Sequence, residues 1–157
     1  VSLADPICGA TADVLFDAAE KAGATVHKGG TYICIEGPQF STRAESLVYR
    51  QWGVDVIGMT NVTEAKLARE AGLCYSTLAL VTDFDCWHVE EEAVTLEAVL
   101  KIMHQNVEKA QQVINELVPL LGKVGLCCCA DAAIQAVVTD PKKIPEKLKN
   151  DLSILFG

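Results

Sequence analysis

Half of the 157 residues are apolar and 22% are charged, which excludes a disordered chain and leaves enough material for one core. A domain of this size buries roughly two thirds of the surface its unfolded chain exposes. The net charge of -8 argues against a large nucleic-acid footprint or a patch for anionic membranes, so small molecules or proteins are the expected partners.

In chain order, Asp5-Pro6 opens a first helix, with Ile7, Val14, Leu15 and Ala18 on one face and Gly23 as its stop. Thr25 to Lys28 and Thr31 to Glu36 read as two strands joined at Gly29-Gly30 by a tight hairpin, with His27 a strand surface residue. Gly37-Pro38-Gln39-Phe40-Ser41 is a loop, and Thr42 with Glu45 has the capping-box spacing that opens a helix running to about Trp52. Gly53 ends it. Val54 to Gly58 is a short interior strand followed by Met59-Thr60-Asn61, and Glu64 to Ala71 is a helix stopped by Gly72.

Leu73 to Thr82 is the most apolar and β-branched run, suited to a strand covered on both faces. Asp83 and Asp85 follow it at once. They either cap a turn or place two carboxylates at the sheet edge where open α/β folds bind ligands. After the acidic run Glu90-Glu91-Glu92, Thr95 to about Leu117 forms a long amphipathic helix that ends before Pro119, with His104 on its polar side. A second, shorter helix leads from Ala130 to Asp140-Pro141. Pro145 to Phe156 closes the chain with Leu148, Leu152 and Leu155 on one stripe. The alternation predicts a single α/β domain over 1-157, its central sheet mixed because of the hairpin and flanked by helices.

Seven cysteines, at 8, 34, 74, 86, 127, 128 and 129, have no framework spacing and fit a reducing cytoplasm better than a secreted disulfide scaffold. The run Cys127-Cys128-Cys129 lacks a CxxC pair and a nearby His, so no metal is expected there. No stretch reaches the roughly 18 apolar residues of a membrane span, and no basic-then-apolar leader opens the chain. It begins at Val1 without an initiator Met, as a processed or partial sequence does.

Three blocks then stand in order: Gly37-Pro38-Gln39-Phe40-Ser41-Thr42-Arg43-Ala44-Glu45, Val56-Ile57-Gly58-Met59-Thr60, and Thr82-Asp83-Phe84-Asp85-Cys86-Trp87, with Glu91-Glu92-Ala93-Val94 shortly after. Together the sequence resembles the methylthioadenosine phosphorylases of the purine nucleoside phosphorylase superfamily. The resemblance covers nearly the whole chain but only the carboxyl-terminal part of those proteins. It implies a phosphorylase/hydrolase-like three-layer fold, incomplete at the amino-terminal side, with most of the phosphate site on the other part.

By that resemblance the reaction is phosphorolysis of S-methyl-5'-thioadenosine to adenine and 5-methylthioribose 1-phosphate, through an oxocarbenium-like transition state. Asp83 is the expected catalytic acid at purine N7, a role that needs its carboxyl raised by burial beside a second acid, and Asp85 accepts from the 6-amino group. The resemblance also implies Phe40 as an aromatic wall for the purine, Phe84 behind the base loop, Met59 on the ribose and Thr60 as a phosphate ligand. It implies Ser41 as a small residue where cleavers of ordinary nucleosides carry an acid, and Leu96, Val99 and Leu100 around the methylthio group. Core packing alone would also account for Met59 and those three. No cofactor is implied, inorganic phosphate being a co-substrate, and the expected assembly is a homotrimer. The competing expectation is a catalytically silent ligand-binding remnant or interaction module, or a phosphorylase of a related purine nucleoside.

Overall fold

The computed structural model describes residues 1–88, 96–122, 124 and 127–156. The block Glu91-Glu92-Ala93-Val94, the acidic run before it and Thr95 lie outside the described residues, as does the side chain of Leu96. Its first helix, α1, runs from Gly9 to Lys21. It starts three residues later than the Asp5-Pro6 signal predicts, because tertiary bonds hold the preceding segment. Cys8 is the N-cap, its N–H donates to the Tyr75 carbonyl at 2.8 Å, and Arg69 donates to the carbonyl of Asp5. A bonded, extended Cys8 cannot also be a helix interior.

The sheet among the described residues has two strands, β1 (Tyr32–Cys34) and β2 (Val56–Gly58), paired in parallel with Ile33 opposite Ile57. Between them lies α2 (Arg43–Gln51), and β2 leads to α3 (Asn61–Glu70). The predicted hairpin does not form, so the sheet seen is parallel rather than mixed. Thr31 turns instead to the residue before β2: its N–H donates to the Asp55 carboxylate at 2.7 Å, and its carbonyl accepts from Asp55 N–H at 2.9 Å. That bond pair starts the parallel ladder and leaves Thr25 to Lys28 without strand structure. His27 is exposed, as expected of a surface residue, but not on a strand.

Leu73 to Thr82 is likewise not a strand, because no described strand lies beside it to supply a ladder. It is tethered piecewise. Tyr75 Oη lies 2.9 Å from a Glu64 carboxylate oxygen, Thr77 Oγ1 lies 2.6 Å from Asn61 Oδ1, and Ser76 Oγ donates to the Cys8 carbonyl at 3.1 Å.

The long helix α4 spans Leu96–Leu121, one turn past the predicted end. Pro119 therefore lies inside it, in the last turn, and withholds the N–H that would otherwise reach the Asn115 carbonyl, with only two helical residues beyond it. Ala18 and Ala19 of α1 pack on Val113 of α4, with Leu15, Leu78, Leu117 and Leu120 around them. Two alanines at the crossing let the helices approach closely. Lys109 of α4 then caps α1 by donating to the Ala22 carbonyl at 2.8 Å.

Beyond it the predicted helices are shorter and broken. They are α5 (Ala132–Gln135), a 3₁₀ turn at Pro141–Lys143 capped by Asp140, α6 (Glu146–Asp151) and α7 (Ser153–Phe156). No described helix is long and apolar enough to cross a membrane.

The capping box of α2 forms as its spacing predicts. Glu45 N–H donates to Thr42 Oγ1 at 3.3 Å, while Thr42 N–H donates to the Glu45 carboxylate at 2.7 Å and holds that carboxyl below its ordinary range. Thr42→Ala removes the acceptor for Glu45 N–H and should cost about 1 kcal/mol. The measurement is the urea midpoint, which should fall at unchanged slope.

Candidate functional site

The site grows from the carboxyl ends of β1 and β2. Cys34 stands opposite Gly58, and Ile35 N–H continues the ladder to the Gly58 carbonyl at 2.9 Å. The chain therefore leaves both strands on one edge, into Gly37–Ser41 after β1 and into Met59–Thr60 after β2. Gly37 has φ +69°, and a Cβ there would lie 2.8 Å from Met59 Sδ. Glycine is favoured at that point by the backbone, and any Cβ there would have to displace the Met59 thioether.

The acid-bearing loop joins the same edge. Cys86 Sγ lies 3.5 Å from the Ser41 carbonyl, and the Arg50 guanidinium of α2 sits 3.6 Å from the centre of the Trp87 ring. Phe84 stacks on His88 at 4.9 Å and meets Trp87 edge-on at 5.9 Å. From the other side, Asn106 of α4 donates to the Val81 carbonyl at 2.9 Å. The loops after β1, β2 and Thr82 are thus linked pairwise, Gly37 to Met59 and Ser41 to Cys86.

Within this edge Asp83 is exposed, its Oδ1 accepting from the Thr82 hydroxyl at 2.6 Å. Asp85 is half-buried, and its Oδ1 accepts from Cys86 N–H at 2.8 Å while its carbonyl accepts from His88 N–H at 3.0 Å. Asp85 therefore does act as a turn residue. That role occupies one oxygen and leaves the other. Phe40 is 85% exposed and Phe84 60%. Met59 is half-buried against Gly37.

Thr60 is the N-cap of α3, yet its side chain makes no cap bond. Ser41 Oγ is buried with no hydrogen-bond partner among the described residues. On α4, Val99 is half-buried and Leu100 exposed, about two turns before the Asn106 that reaches the acid loop.

Two features escaped sequence reasoning. The first is Arg50, whose stacking on Trp87 has no local signal. The second is a cysteine cluster away from this edge, formed by Cys8, Cys74, Cys127 and Cys129. Within it, burial pushes Cys129 up to about 12, and hydrogen bonding with Cys127 pushes Cys74 up to about 11. Burial acts to raise Cys8 as well, but hydrogen bonds from Thr11, Cys129 and Cys74 outweigh it and bring that thiol down to about 7.

Residues 2–119 match the Phosphorylase superfamily, and the chain belongs to that family. It is 50% identical, over its whole length, to S-methyl-5'-thioadenosine phosphorylase of Geobacter sulfurreducens, and 48% to that of Koribacter versatilis. It spans 55% and 54% of those two proteins, about half the length of the curated relatives it matches. A crystal structure of methylthioadenosine phosphorylase from an antarctic soil metagenomic library superimposes on the whole chain with a TM-score of 0.90 at 46% identity, the chain covering 56% of it. The Schistosoma mansoni methylthioadenosine phosphorylase in complex with adenine matches over 86% of this chain and 54% of its own, with a TM-score of 0.75 and 34% identity. The α/β phosphorylase-type fold expected from the sequence is therefore borne out.

The close approach of Gly37 to Met59 can be probed directly. Gly37→Ala adds a Cβ in the left-handed region, which costs roughly 1–2 kcal/mol, and forces the thioether to move. A fall in urea midpoint of that size is expected, and an unchanged midpoint would show that the loop accommodates the methyl.

Proposed function

We propose that this chain carries the purine- and ribose-reading part of an S-methyl-5'-thioadenosine phosphorylase. The reaction transfers the 5-methylthioribosyl group from adenine to inorganic phosphate. The observation that carries the reading is the meeting of three loops at one sheet edge, through Gly37 with Met59 and Ser41 with Cys86. Relatives named for that activity, similar along the full chain, supply the substrate.

In this reading Phe40 forms a wall against the base and Met59 lies under the ribose. The Thr60 hydroxyl, which makes no cap bond at the amino end of α3, binds phosphate together with the helix N–H groups. Negative charge develops on the departing adenine, so a neutral acid at its N7 lowers the barrier. Asp83 is that acid and Phe84 packs behind the base loop. Asp85 accepts from the 6-amino group with the oxygen its turn bond leaves free, which favours adenine over 6-oxopurines. Ser41 offers a small neutral group where an acid would suit a 5'-hydroxyl, and Leu96, Val99 and Leu100 give the methylthio group apolar surroundings.

Asp83 and Phe40 are open to water in this chain, whereas a neutral acid needs burial. Closure by the rest of a longer chain and by neighbouring subunits, in a cytoplasmic homotrimer, supplies it in this proposal. The same exposure favours the second reading, a catalytically silent ligand-binding module.

Phosphorolysis of methylthioadenosine, followed as adenine release, distinguishes them. Release by a chain extended to the relatives' full length but not by the 157-residue chain is expected, and release by neither sinks the enzymatic reading. On the active enzyme Asp83→Asn should lower kcat by about a hundredfold or more. Asp85→Asn should shift preference toward 6-oxopurine nucleosides. Wild-type rate and adenine preference in both variants would return the two acids to the role of turn residues.

A further inference from the structure

Four of the seven cysteines, far apart in sequence, converge on one point. Cys8 caps α1, Cys74 follows the turn after α3, and Cys127 and Cys129 flank the exposed Cys128 before α5. Their Sγ atoms all lie within 4.8 Å of one another, with Cys74 and Cys127 at 3.0 Å. All are free thiols. A tetrahedral zinc ion with Zn–S bonds near ~2.3 Å separates its sulfurs by roughly 3.8 Å. The spread in the cluster brackets that distance, so small side-chain adjustments suffice.

We propose that Cys8, Cys74, Cys127 and Cys129 form a tetrathiolate zinc site, separate from the sheet edge that reads the base. Each thiol gives up its proton as its sulfur donates a lone pair to the cation, so four thiolates and Zn²⁺ leave a net negative centre. The surroundings answer that charge. The amino end of α1 faces it through Cys8, and Arg69 Nη1 lies 3.7 Å from Cys129 Sγ while its other nitrogen holds the Asp5 carbonyl. The Thr11 hydroxyl donates to Cys8 Sγ at 3.4 Å. Hydrogen bonds of this kind orient metal ligands and fix their ionisation.

The cluster has an entrance and a structural purpose. Cys74 and Cys127 line a cleft of about 600 Å³ between Leu15 and Leu117, while Cys8 and Cys129 are buried behind them. Among the described residues, the fully buried apolar core at the α1–α4 crossing is Ala18, Ala19 and Val113. Zinc bound here ties the start of α1, the segment after α3 and the carboxyl-terminal region together, and its binding energy becomes folding energy.

The test begins with protein purified under reducing conditions without chelator and analysed for metal by plasma mass spectrometry. About one zinc per chain is expected of a closed four-ligand site. Cys74→Ser and Cys127→Ser should each reduce it to background, while Cys34→Ser and Cys128→Ser retain it. Serine variants that fail to fold leave the wild-type measurement decisive. Protein stripped by chelator and loaded with Co²⁺ should show the intense visible bands and thiolate charge transfer of a tetrahedral tetrathiolate, abolished by adding Zn²⁺.

A Co²⁺ spectrum without thiolate charge transfer overturns the proposal, as does zinc that survives Cys74→Ser and Cys127→Ser. So does an intact mass showing that the same sulfurs pair as disulfides and that their reduction restores no metal binding.

Discussion

The parallel pairing of β1 with β2 is the constraint on which the rest of the structure depends. It is short, three residues on each side, and its register is held sterically as well as by hydrogen bonds. The Tyr32 side chain crosses directly over Gly58, so closely that a Cβ at that position would overlap the phenol oxygen. Any slip that set a larger residue under Tyr32 would drive the strands apart. Because the register is fixed, Gly37 and Met59 emerge side by side, and the loop containing Phe40 and Ser41 is delivered to the edge that also receives the acid loop. Two three-residue strands could not achieve this alone. The Thr31–Asp55 bonds extend the ladder at one end and the Ile35–Gly58 bond at the other.

Around that edge the chain leaves much apolar surface open. Leu73, Leu80 and Val81 are each at least 42% exposed along a run whose composition suits a strand buried on both faces. Phe40, Trp52 and Ile154 are more exposed still. Scattered exposed leucines are ordinary, but an apolar, β-branched run whose backbone has no ladder is not. The relatives are nearly twice as long, and a parallel strand needs neighbours to satisfy its N–H and C=O groups. Surface of this kind is suited to pairing with further strands of the same sheet.

Sequence reasoning succeeded where the signal was local and stereochemical. Thr42 and Glu45 make the predicted box because both bonds close within three residues, and Gly53 and Gly72 end α2 and α3 because only glycine readily takes the positive φ found there. It failed where a local signal competed with a distant partner. Gly29-Gly30 reads as a hairpin, but the Asp55 carboxylate captures Thr31 N–H and commits the chain to a parallel neighbour. Asp5-Pro6 reads as a helix start, but bonds to Tyr75 and Arg69 hold the segment from Asp5 to Cys8 outside the helix. The cysteines are the extreme case. No spacing rule links positions 8, 74 and 127, and only the packing of α1 against α4 and α3 against α5 brings them together.

The two sites, though separate, are joined by one stretch of backbone. Leu73 to Thr82 begins at Cys74 in the thiol cluster and ends at the first residue before Asp83. Tyr75 and Thr77 tie its first half to Asn61 and Glu64 of α3, whose N-cap is Thr60, and Asn106 fixes its far end at Val81. With no ladder among the described residues to hold it in register, the segment depends on these side-chain tethers and on Cys74 itself. A cation at the cluster would fix the beginning of the stretch against α1. The position of the acids, nine and eleven residues past Cys74, would then be set by a backbone anchored at both ends. Metal binding, in that arrangement, would act on the placement of Asp83 and Asp85 from a distance.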